Sequence, residues 1–301
     1  MRTVYLGTSD FASTVLDQLA ASAHRPQLVV TRPDAPRGRG RKVAAPPVAE
    51  TARLLGIEVF QPENVNDDAA RERIAAAEPE AVLICAYGAL IREPLLSAHR
   101  MLNVHPSLLP RWRGAAPIER AIEAGDEETG VTIMQPTAEL DTGPIAVQRA
   151  EAIRPDDDYG SLSQRLAALG GELLVEALDL EPSLHEQPET GATYADKIGP
   201  EDRLLDPQLT VDLLERRVRA LRPHIGAYIE LPWDERLRVN RAALASPGGD
   251  IPAPGRLAAW DGRLLYGAAG GALELCEVHP QGKRPMEADA WIRGYGERLE
   301  T

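Results

Sequence analysis

Residues 81–88, AVLICAYG, make an unbroken apolar run without a charge, closed by glycine. A run this short and continuous suits a strand buried on both faces, the mark of a parallel sheet covered by helices. The preceding sequence supplies the other parts of such a sheet. Residues 3–6, TVYL, read as a strand that enters the turn Gly7-Thr8-Ser9-Asp10, and Phe11–Ala23 carries Val15, Leu16 and Leu19 at helical spacing. Gln27–Thr31 and Glu58–Phe60 read as strands, Pro47–Leu55 and Ala69–Ala77 as helices. The alternation predicts an α/β fold with an open, doubly wound, mostly parallel sheet of Rossmann-like type, its ligand site at the carboxyl ends of the strands. The first turn has neither the GxGxxG fingerprint nor the Walker spacing, so no dinucleotide cradle is expected there.

The chemistry is concentrated just beyond, in residues 101–145. An apolar run delivers Asn103 and His105 to the end of a predicted strand, and a further strand about 30 residues on leads to Asp141. Positions two apart share a strand face, so Asn103 and His105 should project together past Val104. An amide N–H can stabilise a developing oxyanion, an imidazole can move a proton, and a carboxylate can orient or polarise that imidazole. Acyl or formyl transfer by direct attack of a substrate amine fits this set. Ser107 is close enough to count as a candidate nucleophile, although it lacks the usual pattern. A hydrogen-bonded structural pair would explain Asn-x-His equally well on those two residues alone.

Composition narrows the classes. No apolar run approaches the roughly 20 residues needed to span a bilayer, and MRTVYLGTSDFA reads as a strand and turn, so a soluble cytoplasmic protein without a membrane partner is expected. Cys85 and Cys276 lie far apart in apolar stretches, and the six histidines are scattered without ligand spacing, so no disulfide and no metal are expected. A net charge of −13 argues against broad adhesion to nucleic acid. It is unevenly spread: residues 205–301 hold 13 Lys plus Arg against 14 Asp plus Glu, which leaves nearly all the excess acid in residues 1–204. Against that background RPDAPRGRGRK, Arg32–Lys42, is locally basic, and its glycines and prolines predict an exposed irregular loop.

After a predicted strand at Ile145–Ala150, Ser161 is placed to N-cap a long helix bearing Leu162, Leu166, Leu169 and Leu173. Residues 181–207 are rich in Pro, Gly, Glu and Asp and read as a linker. Thr210 should cap a helix with Leu214, Val218 and Leu221 on one stripe. Short predicted strands at Ala227–Leu231, Leu237–Ala242, Gly255–Trp260, Leu264–Tyr266 and Ala272–Val278 then suggest a small β-barrel.

The stretch MLNVHPSLLPRWRGAAPIERAIEAGDEETGVTIMQPTAELDTGPI, residues 101–145, resembles the signature of the formyltetrahydrofolate-dependent formyltransferases. RGAAPI together with the basic loop resembles the branch of that family that acts on methionyl-tRNA, and ATYADKI resembles a recurrent piece of its linker. GTSDFA is similar to the family's GTPDFA, with Ser9 in place of proline. The resemblance runs nearly end to end. It implies transfer of the formyl group of 10-formyltetrahydrofolate, a cosubstrate, to the α-amine of methionyl initiator tRNA for translation initiation. Asn103, His105 and Asp141 fall on the family's catalytic positions. Ala86, Tyr87, Gly88, Ala89, Leu90 and Ile91 fall on its folate pocket, with Ser107, Leu108, Leu109 and Pro110 beside it and Leu140 on the opposite wall. Arg37, Arg39, Arg41 and Lys42 match a basic insertion that enters the tRNA acceptor arm, with Arg39 at the position associated with the acceptor end; Lys283 and Arg284 offer further phosphate contacts. The implied organisation is a catalytic domain over 1–185, a linker over 186–207 and an OB-like, tRNA-supporting domain over 208–301, in a monomer.

Two rivals share parts of this pattern. The same catalytic set would serve a formyltransferase acting on an amino-sugar nucleotide or on glycinamide ribonucleotide, and only the acceptor side separates these. A noncatalytic RNA-binding protein would use the α/β domain merely to position the barrel, and folate binding would exclude it.

Overall fold

The apolar runs become the middle of a seven-stranded sheet. In the computed structural model, which describes residues 1–37, 42–246 and 251–299, β1 (Thr3–Gly7), α1 (Asp10–Ala20) and β2 (Pro26–Val30) form the first unit. A small hairpin, β3 (Ala35–Arg37) and β4 (Lys42–Ala44), precedes α2 (Pro47–Leu54), β5 (Glu58–Phe60), α3 (Asp68–Ala75), β6 (Ala81–Cys85), α4 (Leu95–Ala98) and β7 (Met101–His105). The chain continues through β8 (Arg113–Gly114), α5 (Pro117–Ala124), β9 (Glu128–Met134), β10 (Ile145–Ala152), α6 (Tyr159–Leu180) and β11 (Tyr194–Ala195). The sheet runs β10-β9-β7-β6-β1-β2-β5. Its five strands from β7 to β5 are parallel, whereas β9 and β10 join antiparallel at one edge.

Both faces of the parallel part are covered, which is why its strands carry no alternation. Val4, Leu6, Leu28, Val30, Val82 and Ile84 pack on one side with Ile74 of α3, Leu95 of α4 and Val65. The intervening residues Tyr5, Val29 and Leu83 point the other way and are fully buried; Tyr5 donates its hydroxyl to the carbonyl of Ala12 in α1 at 2.7 Å. Helix α6 comes close to the sheet at Gly170, where an added Cβ would lie 2.9 Å from Val104 of β7. Ser9, the residue that replaces proline in the first turn, N-caps α1 by accepting from the Ala12 N–H at 3.3 Å, a bond that proline could not provide.

The chain sorts into two compact units that interleave along the sequence. One comprises Met1–Pro117, Glu128–Ala152 and Ser163–Ala195; the other comprises Ile118–Glu127, Ile153–Leu162 and everything from Asp196 on. The expected linker is thereby divided: Tyr194–Ala195 pair as β11 with β8 in the first unit, and Asp196 onward belongs to the second. The second unit adds α7 (Val211–Leu221), β12 (Ala227–Glu230), β13 (Arg236–Leu244), β14 (Leu257–Trp260), β15 (Arg263–Ala268), β16 (Gly271–Pro280), β17 (Met286–Glu287) and α8 (Ala288–Tyr295). Its antiparallel sheet runs β12-β13-β16-β15-β14, with β17 on β16. Leu214, Val218 and Leu221 of α7 pack with Ile229, Leu237, Leu273 and Trp291 in its core.

Several local expectations change. Thr210 caps α7 as expected, but Ser161 lies inside α6, and it is Asp158 whose carboxylate accepts from the Ser161 N–H at 2.9 Å. The flanks of the basic loop are not irregular: Ala35, Pro36 and Arg37 pair with Ala44, Val43 and Lys42. The short helix α8 carries no signal strong enough to be read in WIRGYG, although Trp291 on it is fully buried. Among the described residues, no helix is long and apolar enough to cross a membrane.

Inside the second unit a charge cluster joins distant segments. Arg217 meets Glu123 at 2.6 Å, and Arg120 meets Glu123 at 2.9 Å and Asp202 at 3.0 Å. Burial raises the Asp202 carboxyl, but hydrogen bonds from Arg120 and the Gly199 N–H and the nearby Arg120 and Arg217 charges outweigh it and hold it below the usual carboxylate value. A carboxylate with a depressed folded pKa contributes stability that is present above its unfolded value, about 3.9, and is lost as pH falls through the folded value. Urea unfolding measured from pH 7 down to pH 3 should therefore show a shallower acid loss for Asp202→Asn than for the wild type. Two glycines test the packing. Gly170→Val, forced against Val104, should cost about 1–3 kcal/mol, whereas Gly294→Ala in α8, where a Cβ meets nothing within 4 Å, should gain about 0.4–1 kcal/mol.

Candidate functional site

The sheet reverses its winding between β1 and β6: from β1 the chain moves outward to β2 and β5, then returns to the opposite side of β1 as β6. Loops leaving the carboxyl ends of two such strands part in opposite directions and open a crevice. Here Thr8, after β1, donates its hydroxyl to the carbonyl of Tyr87, after β6, at 2.8 Å. β7 lies next to β6, with Asn103 opposite Ile84 and Val104 opposite Cys85.

Asn103 is half-buried, and its Nδ2 donates to the thioether of Met134 at 3.8 Å, a weak acceptor. His105, two residues on, is 3% exposed. Its Nε2 lies 2.9 Å from the Trp112 carbonyl. A carbonyl can only accept, so Nε2 carries the hydrogen and a neutral ring presents its lone pair at Nδ1. Nδ1 is 3.6 Å from Asp141 Oδ2, too far for a hydrogen bond. The imidazole is thus oriented by Trp112 rather than by Asp141, and the carboxylate sits where a proton arriving at Nδ1 would make an ion pair.

Asp141 is itself firmly held. Oδ2 accepts the Gly114 N–H at 2.9 Å, and its backbone has φ 54°. Gly114 has φ 126°, and a Cβ there would lie 2.6 Å from the Ala195 carbonyl oxygen. Only glycine lets the RGAAPI loop run against β11 while its N–H faces the carboxylate. The Asp141 carbonyl accepts from Gln187 Nε2 at 2.8 Å, as does the Gly143 carbonyl. Gln187 Oε1 in turn receives Arg113 Nε at 3.0 Å and Nη2 at 2.9 Å. Thr193 accepts the Trp112 N–H on its hydroxyl and the Arg113 N–H on its carbonyl, both at 2.9 Å.

The segment after β6 alternates. Ala86 (φ 44°), Gly88 (φ 79°) and Leu90 are exposed, while Tyr87, Ala89 and Ile91 turn into the core. The Tyr87 side chain therefore offers no outward wall, and burial pushes its phenol up to about 12 against the pull of Arg32. Asn66 fixes this segment by donating to the Leu90 carbonyl at 2.9 Å and accepting the Arg92 N–H at 2.8 Å. Leu90 and Leu140, which precedes Asp141, are both more than half exposed.

Residues 107–110 are mostly scaffold. Ser107 is fully buried and donates to the Arg111 carbonyl at 2.6 Å, so it serves the turn and is not a nucleophile. Leu109 is buried, with its N–H on Thr132 at 3.2 Å and its carbonyl held by Gln148 at 2.8 Å; Leu108 lies against Gly130 of β9. Pro110 is half-buried, and its carbonyl accepts the Thr193 N–H at 3.3 Å. Burial also keeps the Cys85 thiol at about 12, far from a reactive thiolate. Arg37 and Lys42 are backbone register partners in the β3–β4 hairpin, and Arg39 and Arg41 lie outside the described residues. Lys283 and Arg284 are exposed in the turn before β17. Among the described residues, no group of three or more His, Cys, Asp or Glu converges as metal ligands.

Sequence reasoning did not single out Trp112, Gly114, Arg113, Gln187 or Asn66. Trp112 and Gly114 act through backbone atoms, which carry no side-chain signature, and Gln187 lies 46 residues from Asp141 inside a stretch that reads as linker. Arg113 and Gly114 open RGAAPI, but that motif does not say which atoms they use.

Comparison with known proteins identifies the family. The sequence profile of the family described as formyl transferase matches residues 1–178, and that of the formyl transferase C-terminal domain matches residues 197–296. The chain is 43% identical over 313 residues, covering 100% of each chain, to a methionyl-tRNA formyltransferase of Methylococcus capsulatus. Its fold is similar to that of Aquifex aeolicus HypX in complex with tetrahydrofolic acid, with TM-score 0.65 and 19% identity, over 100% of this chain and 48% of that one; the chain spans about half the length of HypX. It is also similar to a methionyl-tRNA formyltransferase structure from Clostridium thermocellum, with TM-score 0.58 and 16% identity, over 82% of this chain and 95% of that one. The chain, a mostly parallel sheet followed by a β-rich unit, is thus a formyl-transferring enzyme and belongs to the formyl transferase family.

Proposed function

We propose that the chain transfers the formyl group of 10-formyltetrahydrofolate to the α-amine of methionyl initiator tRNA. The observation that carries the chemistry is the pairing of an Asn103 amide, engaged among the described residues by a weak sulfur acceptor, with a His105 ring whose Nε2 is fixed and whose Nδ1 lies 3.6 Å from Asp141 Oδ2. The free amine attacks the formyl carbon, forming the new N–C bond, and negative charge grows on the formyl oxygen, where Asn103 Nδ2 donates. The bond from the formyl carbon to N10 then breaks. The proton lost by the amine passes through His105 Nδ1 to the departing N10, with the Asp141 carboxylate stabilising the transient imidazolium. His105 is thus kept in one tautomer by Trp112, and Asp141 acts through charge.

The folate donor is supported by the family and by the tetrahydrofolic acid bound to HypX. On this chain the outward row Ala86, Gly88 and Leu90, with Leu140 opposite, suits an aromatic ring held by backbone groups and apolar contacts. The methionyl-tRNA acceptor is supported by the end-to-end likeness to the Methylococcus capsulatus protein. Arg37, Arg39, Arg41 and Lys42 in the basic loop, with Lys283 and Arg284, supply phosphate contacts in this reading, and the β-rich unit acts as an OB-like support in a monomeric cytoplasmic enzyme.

Formyl transfer to methionyl initiator tRNA, measured beside a methionyl elongator tRNA and an amino-sugar nucleotide, tests the acceptor: activity confined to the initiator is expected, and activity only on the sugar nucleotide would overturn the tRNA reading. Asn103→Ala should lower kcat by about 10²- to 10³-fold with an unchanged melting temperature. Asp141→Asn keeps an acceptor for Gly114 but removes the charge, and it too should lose most turnover while folding normally; full activity in either variant would refute its assignment.

A further inference from the structure

We infer that Gln187 and Arg113 are positioning residues that hold Asp141 in place for catalysis, an inference that rests on the formyl-transfer reading above. Both side chains are buried, Arg113 5% and Gln187 8% exposed. A buried guanidinium is costly unless its N–H groups are met, and the usual partner is a carboxylate. Here Nε and Nη2 both go to a neutral carboxamide. Glutamate, nearly the same shape, would meet the cation better, but it would bring no N–H.

The N–H groups are what the neighbouring loop requires. With Oε1 taken by the guanidinium, the amide is fixed in one orientation, and Nε2 spans the Asp141 and Gly143 carbonyls at 2.8 Å each. Asp141 sits in the left-handed region, which side chains other than glycine enter at a cost, and at Gly143 a Cβ would lie 1.9 Å from the Gln135 carbonyl oxygen. The turn has no slack of its own at that point, and Gln187 supplies the tie. Because Gly114 donates to the Asp141 carboxylate, the contacts close into a ring: Arg113 to Gln187, Gln187 to the Asp141 backbone, the Asp141 side chain to Gly114, and Gly114 to Arg113 through the chain. Asp141 is gripped at both ends from two consecutive residues, and its 3.6 Å distance to Nδ1 follows from that grip. Neither residue touches the reacting atoms in this arrangement.

Gln187→Glu separates positioning from folding, because it turns the Arg113 contact into an ion pair while replacing both N–H donors with an oxygen that faces two carbonyls. The expected result is an unchanged melting temperature, with kcat lowered about 10- to 100-fold and KM for the folate donor and for methionyl-tRNA unchanged. Unimpaired kcat in a folded Gln187→Glu protein overturns the inference, as does a rise in KM without a fall in kcat. If that variant does not fold, Arg113→Met, which removes the buried cation and leaves the Gln187 amide free to turn, decides by the same split. Absence of formyl transfer by the wild type would instead refute the reading beneath it.

Discussion

The hydrogen bond from the Gly114 N–H to the Asp141 carboxylate is the contact on which the site turns. It joins the loop after β7 to the loop after β9, two segments that the sheet brings near but does not itself connect. It depends on a residue without a side chain, because anything larger would strike the Ala195 carbonyl. The same loop serves three ends in three consecutive positions. Trp112 offers its carbonyl to His105, Arg113 its guanidinium to Gln187, and Gly114 its N–H to Asp141. The geometry of the imidazole and of the carboxylate is therefore set by one short stretch of backbone.

That stretch is in turn supported from behind. Thr193 takes the N–H groups of Trp112 and Arg113, and the Ala195 carbonyl takes those of Ala115 and Ala116. The segment from Gln187 to Ala195 thus functions as a strap, although its composition is that of a connector. Sites built on loops gain precision only when a second layer of bonds immobilises them, and here that layer comes from outside the sheet.

What could be read beforehand follows the range of the forces involved. Val4, Leu6, Val82 and Ile84 announce a two-faced sheet through local composition, and Asn103 and His105 share a face by strand geometry alone. The partner of His105 could not be read, because a carbonyl at Trp112 looks like any other carbonyl. Ser107 reads as a candidate nucleophile, yet its buried hydroxyl donates to the Arg111 carbonyl, a difference of orientation that spacing does not encode. Tyr87 similarly turns inward because the chain continues to alternate past the end of β6. Gln187 stayed hidden for a different reason: its value lies in being an amide between a cation and two carbonyls, all of them distant in sequence.

The division into units bears on how such a protein can be taken apart. The chain passes from one unit to the other after Pro117, Glu127, Ala152, Leu162 and Ala195, so no single scission releases either of them whole. A fragment ending at Ala195 would carry two segments, 118–127 and 153–162, without Arg217, His224 and Arg219, which meet Glu123, Glu119 and the Asp157 carbonyl. Recombination that exchanged only the residues after Ala195 would set new side chains against 118–127 and 153–162, the two segments of that unit left behind.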